Sequence, residues 1–273
     1  MSLNSRGPDR CCEAGIVFAL AIEADAFERR ATDCVEWRGP GGVVLEGTVA
    51  GVRVVWCVSG VGGPAAARAA ALMVDGHRPR RLVSAGFAGG LDPALPRGCL
   101  VRPAAVTTDQ AGTRILLAHA GAEAAAAGPL VVSVTEVVAT AAAKRALAAR
   151  TGAAIVDMET HAIATVAATA GLPCLGVRVV SDDASQALPA EVAGLARPQS
   201  ALRRVGAVVG AVSRRPAAAV DLWRLYEHAV VDGRTLAAEL ARLCEEFAGG
   251  AAVMPDQPAG GPADSAAGPR PAP

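Results

Sequence analysis

The strongest constraint on the fold is an alternation. Short apolar runs ending in glycine or a carboxylate are followed, again and again, by alanine-rich stretches of helical length. Residues 15–21 (Gly-Ile-Val-Phe-Ala-Leu-Ala) read as a buried first strand leading into a helical segment over 23–30. Residues 43–49 and 52–59 read as paired strands, with Ala50-Gly51 as a tight turn. Ser59-Gly60-Val61-Gly62-Gly63-Pro64 precedes an alanine-rich helix over 65–74 with proline at its start. A strand over 81–85 enters a loop, Gly86-Phe87-Ala88-Gly89-Gly90, and 99–107 reads as a further strand. Then come a helix over 139–151 closed by Gly152, a strand over 153–158, and a helix over 159–170 closed by Gly171 with Pro173 just beyond. A strand over 174–180 leads into Ser181-Asp182-Asp183. Helical material fills 199–247, with a break at Arg215-Pro216. Strands alternating with helices predict an α/β fold, a sheet flanked by helices.

The 273 residues fit one large domain, placed at 14–248, after a flexible N-terminal segment 1–13. From 249 to 273 the chain is Gly, Ala and Pro with few large apolar groups. Such a segment cannot offset its ordering entropy, which predicts a disordered tail. Basic and acidic residues balance at 26 each, so the electrostatic footprint of a nucleic-acid binder is missing. Almost all the positive charge is arginine; Lys144 is the only lysine. Seven cysteines, an odd number without a C-x-x-C pair, suggest neither a disulfide framework nor a zinc site. Free thiols in a reducing, cytoplasmic compartment are the expectation. Residues 1–12 lack the apolar core of a secretory signal. The uncharged stretch 160–177 is interrupted by Gly171 and Pro173, so no transmembrane span is expected.

In open α/β sheets ligands bind beyond the carboxyl ends of the strands. That rule selects Glu23 after the first strand, the 59–62 loop, the 86–90 loop, and the carboxylates Glu159 and Asp182. Each has a plainer explanation when taken singly. Glu23 and Glu159 suit a first helical turn, Asp182 an N-cap, and the glycines ordinary turns. Gly60-Val61-Gly62 is an incomplete dinucleotide fingerprint, so a nicotinamide enzyme is only weakly supported. Together, however, three carboxylates and two glycine loops at strand ends suit cleavage of a glycosidic bond. One carboxyl protonates the leaving group, another activates the nucleophile, and a further group holds the sugar hydroxyls. Glycine loops let backbone N–H groups approach the ligand.

At these residues the sequence resembles the methylthioadenosine/S-adenosylhomocysteine nucleosidases and their purine nucleoside phosphorylase relatives. The likeness runs from about residue 15 to 184. It is carried by 16–23, 59–62, Gly-Phe-Ala-Gly-Gly-Leu (86–91), Val-Asp-Met-Glu-Thr-His-Ala-Ile-Ala (156–164) and Val-Arg-Val-Val-Ser-Asp-Asp-Ala (177–184). The resemblance implies a phosphorylase/hydrolase-like three-layer α/β/α fold around a central twisted mixed β-sheet, a small nucleoside as substrate, no metal or other cofactor, and a homodimer. Asp182 looks like the general acid that protonates the purine at N7, with Ser181 as its orienting partner. Glu159 looks like the group that grips the ribose hydroxyls, with Met158 packed against the sugar. Glu23 looks like the base that activates water, and Arg178 is similar to an arginine near that water. Ser59, Gly60, Gly86, Phe87, Ala88, Gly89 and Val137 complete the substrate-binding set. Phosphorylases usually carry glycine in place of a carboxylate such as Glu23, which would repel phosphate; water is therefore the implied nucleophile.

Two positions depart from the nucleosidase pattern. Phe87 stands where those enzymes usually have serine, and within 133–139 Val137 stands where they usually place an aromatic against adenine. Both departures are similar to the hopanoid-associated phosphorylase-like proteins, which release adenine from adenosylhopane. So are the stretch 139–144, Asp157 to His161, Ala187-Leu188-Pro189, and Arg214-Arg215-Pro216 before a helix with Leu222 and Leu225. A lipid substrate calls for an apolar channel and contact with a membrane surface. Residues 216–234, with Val220, Leu222, Trp223, Tyr226 and Val230 beside Arg224 and Arg234, offer an amphipathic helix for it; the plainer reading is a helix packed on the sheet. His161 reads as a packing residue. A phosphorylase, and a nucleoside-binding module without turnover, are the remaining alternatives.

Overall fold

The computed structural model describes residues 12–39, 41–110, 114–120, 128–187, 217–249 and 252–253. The centre of the sheet is β5 (Leu82–Gly90). On one side β12 (Cys174–Asp182) runs parallel to it, from Cys174 opposite Leu82 to Val180 opposite Ala88. On the other side lies β1 (Ala14–Phe18), parallel, but only as far as Val17 opposite Ser84. Further along that side β11 (Ile155–Asp157) takes over, antiparallel, with Val156 opposite Gly89. Between Ser84 and Gly89 the central strand has no strand partner there among the described residues, and the sheet splits.

Outward from β1 come β4 (Val52–Val58), β3 (Gly42–Val49) and the edge strand β2 (Thr32–Gly39). The β3–β4 turn has Ala50 and Gly51 at φ 49° and 81°, the positive pair that matches the twist of a two-residue hairpin. Outward from β11 come β10 (Leu130–Ser133), β7 (Ala105–Thr108) and β8 (Ile115–Leu116). Beside β12 lies β6 (Leu100–Val101). The eleven-stranded sheet mixes parallel and antiparallel pairs, as the resemblance implies.

Helices cover both faces. On one, α2 (Gly63–His77) and α4 (Thr160–Thr169) bring Ala66, Ala70, Met73, Ile163 and Ala167 onto Val17, Val55, Leu82 and Val106. On the other, α1 (Ala21–Glu28) and α5 (Ala217–Ala248) bring Phe27, Leu236, Leu240, Leu243 and Phe247 onto Ile16, Phe18, Trp56 and Val177. The few aromatic residues are concentrated here: Phe18, Phe27 and Trp56 form a chain with ring centroids 5.8 and 5.6 Å apart. At the far end α3 (Ala141–Thr151), capped by the Thr140 hydroxyl, packs Leu147 near Leu91 and Val132. The three layers expected for the chain are present.

Several local expectations are corrected. The glycine stretch 86–90 is not a loop but the second half of β5, held extended by its ladder with β12. The strand expected over 99–107 is two, β6 and β7, with Pro103, which has no N–H for the ladder, between them. The edge strand β2 was not foreseen: all eight residues are exposed, and its apolar alternation is confined to Val35-Glu36-Trp37-Arg38. The four-residue β10 was too short to announce itself. At the N-terminus, Cys12 is buried and the Glu13 N–H donates to the Arg53 carbonyl, so order begins before residue 14. In the tail, β13 (Ala252–Val253) pairs antiparallel with β9 (His119–Ala120); the rest of the tail, 250–251 and 254–273, lies outside the described residues. Leu188, Pro189 and 199–216, with Arg214 and the Arg215-Pro216 break, lie outside the described residues. The C-terminal half of α5 is packed on the sheet, and among the described residues no helix is long and apolar enough to cross a membrane.

Candidate active site

The split in the sheet holds a cavity of about 190 Å³ at the carboxyl ends of β1, β5, β11 and β12. Its wall carries Glu23, Asp157, Glu159, Ser181 and Asp182 as polar side chains. Leu20, Val61, Phe87, Val134, Val137, Val138, Val156 and Met158, with Ala19 and Ala88, make the apolar part.

Glu23 fills the gap left between β1 and β11. Its Oε2 accepts the backbone N–H groups of Ala19 (3.0 Å) and Leu20 (2.8 Å), and its Oε1 accepts that of Phe87 (2.8 Å). The side chain is only 3% exposed, and burial raises its pKa above the ordinary carboxylate value despite the three donors and the nearby Arg178 charge. A carboxylate so placed is a better proton acceptor than one in water. Gly86 makes this possible, since a Cβ there would stand 2.7 Å from Glu23 Oε1. Gly86→Ala therefore forces the carboxylate off its donors. The expected result is a loss of about 1–3 kcal/mol, read as a lower midpoint in urea denaturation. An unchanged midpoint would mean that the gap tolerates a methyl group.

Glu159 sits between β11 and α4. Its Oε1 accepts the Gly62 N–H at 2.6 Å, and its Oε2 lies 3.3 Å from the Met158 N. Gly62, at φ 101°, turns its N–H toward the carboxylate in a conformation that residues with a side chain rarely adopt. Burial, reinforced by the Asp157 charge and then by Glu23, pushes the Glu159 carboxyl up to about 7; Gly62 and Arg178 act in the opposite sense.

Asp157 organises the floor. Its Oδ2 accepts Arg178 Nε (3.0 Å) and Nη2 (2.8 Å) and the Thr160 hydroxyl, while Oδ1 accepts the Ser133 hydroxyl at 2.5 Å. Arg178, 2% exposed, also donates to Ser84 Oγ, Thr160 Oγ1 and its neighbour's carbonyl. All three of its nitrogens are thus engaged within the protein. Asp182 ends β12, with Oδ1 2.7 Å from Ser181 Oγ and Oδ2 paired with the Lys144 ammonium.

Of the residues singled out in the sequence, Glu23, Phe87, Ala88, Gly89, Val137, Met158, Glu159, Ser181 and Asp182 line this one cavity. Four do not. Arg178 lies behind the wall, tied to Asp157. Gly86 supports Glu23 from below. Ser59 and Gly60 stand off; the Ser59 hydroxyl turns to the carbonyls of Gly60 (2.7 Å) and Phe18 (3.2 Å). The 59–62 loop reaches the cavity through Val61 and the Gly62 N–H instead. His161 is half-buried on α4, its backbone N–H donating to Ser133 Oγ. Sequence reasoning missed the roles of Asp157 and Lys144. The clue to the second was a single lysine in a chain that otherwise uses arginine. Among the described residues no group of three or more His, Cys, Asp or Glu side chains is arranged to hold a metal.

A family model described as the phosphorylase superfamily matches residues 13–127 and 106–221. A 5'-methylthioadenosine/S-adenosylhomocysteine nucleosidase of Actinobacillus succinogenes is 37% identical over 87 residues, which is 32% of this chain and 38% of that relative. One of Colwellia psychrerythraea is 34% identical over 89 residues, 33% of this chain and 37% of the relative. The matched stretch therefore spans well under half the length of these curated relatives. Among solved structures, the fold is similar to a methylthioadenosine/S-adenosylhomocysteine nucleosidase from S. pneumoniae bound to a transition-state inhibitor. The TM-score is 0.65 at 19% identity, covering 86% of this chain and 99% of that one. It is similar also to the futalosine hydrolase of Helicobacter pylori, with a TM-score of 0.65 at 16% identity, covering 88% and 98%. Identities this low speak for the fold. With the family model extending from β1 through β12, and the cavity at the split of a matching mixed sheet, the chain belongs to the phosphorylase superfamily.

Proposed function

We propose that the protein is a nucleosidase that hydrolyses the N-glycosidic bond of a 5'-modified adenosine and releases adenine. The observation that carries this reading is the convergence of Glu23, Glu159 and the Ser181–Asp182 pair on one cavity. Asp182 donates a proton to N7 of the purine, and the electrons of the C1'–N9 bond leave with the base. The Glu23 and Glu159 carboxylates stabilise the positive charge that develops on the ribose, and Glu159 accepts hydrogen bonds from its hydroxyls. Water adds to C1' and gives its proton to Glu23, so that nucleoside plus water becomes adenine plus the free sugar. Each proton transfer typically contributes on the order of 10²–10⁴ in rate.

Water is favoured over phosphate by charge. The described residues lining the cavity include the carboxylates of Glu23, Asp157 and Glu159 beside the acid Asp182 and no lysine or arginine, and Arg178 turns Nε and Nη2 to Asp157. A phosphate dianion would meet repulsion without a clamp. Methylthioadenosine and S-adenosylhomocysteine are the first substrates of this reading, supported by the names of the similar proteins. Adenosylhopane is the second, supported by the apolar wall of Phe87, Val134, Val137 and Val138. The homodimer belongs to the same proposal and rests on the resemblance.

The test is incubation of the full chain with methylthioadenosine, S-adenosylhomocysteine, inosine, futalosine and adenosylhopane, with and without phosphate, following free base by chromatography. Adenine release that is independent of phosphate is expected. Release that requires phosphate and yields a sugar phosphate would make the enzyme a phosphorylase. Tight adenosine binding with no release from any substrate would make it a binding module.

A further inference from the structure

Lys144, the chain's only lysine, is fully buried on α3. Its ammonium pairs with Asp182 Oδ2 and donates to the carbonyls of Asp183 (2.5 Å) and Gln186 (3.2 Å). An ammonium has three donors and no acceptor, so its hydrogen-bonding capacity is filled by the segment that begins at Asp182. The other oxygen, Oδ1, is 2.7 Å from Ser181 Oγ. That hydroxyl is also 3.3 Å from the Ala88 carbonyl, and with one hydrogen it donates to one of them at a time.

We propose that Lys144 is the positioning residue of the acid, an inference that rests on the role given to Asp182 above. By occupying Oδ2 it leaves Oδ1 as the oxygen that carries the transferable proton. It also faces the carboxylate charge that appears when that proton leaves. Before reaction Oδ1 is protonated and Ser181 donates to the Ala88 carbonyl. The Oδ1–H bond then breaks as the N7–H bond forms, the C1'–N9 electron pair leaves with the base, and the Ser181 hydrogen turns to Oδ1. Lys144 keeps its protons throughout and does not touch the substrate. Its compact charge suits this place better than a guanidinium, whose five donors form a planar fork.

The experiment compares two leaving groups in the full-length enzyme. Adenine departs from methylthioadenosine with a proton, whereas nitrophenolate departs from p-nitrophenyl β-riboside without one. Lys144→Met is expected to lower kcat for methylthioadenosine by about 100-fold and to change kcat for the nitrophenyl riboside by less than about tenfold. Equal losses on both substrates would reduce Lys144 to a structural prop, and an unchanged kcat on methylthioadenosine would also overturn the proposal. Asp182→Asn run in parallel separates this failure from that of the parent reading: if it too spares neither substrate or affects neither, Asp182 is not the acid. Should Lys144→Met fold poorly, Lys144→Ala leaves room for an added primary amine. Restoration of methylthioadenosine turnover by n-butylamine, with no gain on the nitrophenyl riboside, is expected. A folded Lys144→Ala enzyme that n-butylamine does not restore would count against the role.

Discussion

Asp182→Asn removes nearly all adenine release, with kcat falling by about 10²–10⁴-fold, while the protein stays folded. The asparagine side chain has nearly the shape of aspartic acid but carries no transferable proton. Its carbonyl oxygen can still accept from Lys144, which also keeps the Asp183 and Gln186 carbonyls, and its amide can donate to Ser181 Oγ. Truncating one partner of a buried pair outright costs about 3–5 kcal/mol. With those acceptors kept, the loss expected here is nearer about 1.5–3 kcal/mol, the range of a single hydrogen bond to a charged group. The measurements are steady-state release of adenine from methylthioadenosine at neutral pH and a urea denaturation curve. Undiminished turnover in a folded variant would remove Asp182 from the mechanism.

The second large effect is tied to pH and Glu159. Burial beside Asp157 and Glu23 pushes its carboxyl up to about 7. The ionised form accepts hydrogen bonds from both ribose hydroxyls more strongly than the neutral acid, one of whose oxygens becomes a donor. The KM for a nucleoside should therefore rise as pH falls through 7, approaching roughly tenfold per pH unit below it, and Glu159→Gln should flatten this dependence while weakening binding at pH 8. Stability moves the opposite way. The native state holds this proton more tightly than the unfolded chain, whose carboxyl titrates near 4.5. The native protein thus loses stability as pH climbs from about 4.5 to about 7, by on the order of 3 kcal/mol. Glu159→Gln abolishes that loss and is expected to raise the urea midpoint at pH 8 but not at pH 4. A midpoint that falls at pH 8 would show that the hydrogen bond from Gly62 outweighs the cost of burying the charge. Stabilisation bought with binding would be the mark of a functional group held under strain.

The two predictions differ in how visible their residues were in the sequence. Glu23, Glu159 and Asp182 each follow an apolar strand run directly, so their position at strand ends is a local property. The same holds for the α/β class, for the Ala50-Gly51 hairpin, and for the helices that begin at Gly63-Pro64 and close at Gly152 and Gly171. Each of these is decided by a few consecutive residues. The edge strand β2 was missed because its eight residues are all exposed and its alternation is limited to Val35-Glu36-Trp37-Arg38, too short a signal without a buried face. The 86–90 stretch was misread because glycine is at home in a turn; only the ladder with β12, some ninety residues later, holds it extended.

Pairing across the fold separates the two kinds of knowledge most sharply. From sequence, Arg178 belonged beside the attacking water, Lys144 was a compositional oddity, and Asp157 was a letter in a motif. In three dimensions Arg178 neutralises Asp157, 21 positions earlier, and Lys144 holds Asp182 across 38. Sequence by itself determined which elements form and which carboxylates stand at strand ends, because periodicity, turn chemistry and capping act over a few residues. Only the tertiary structure decided which charges face one another and which face the cavity. Those choices rest on distances between elements, and on the cost of burying a charge without a partner.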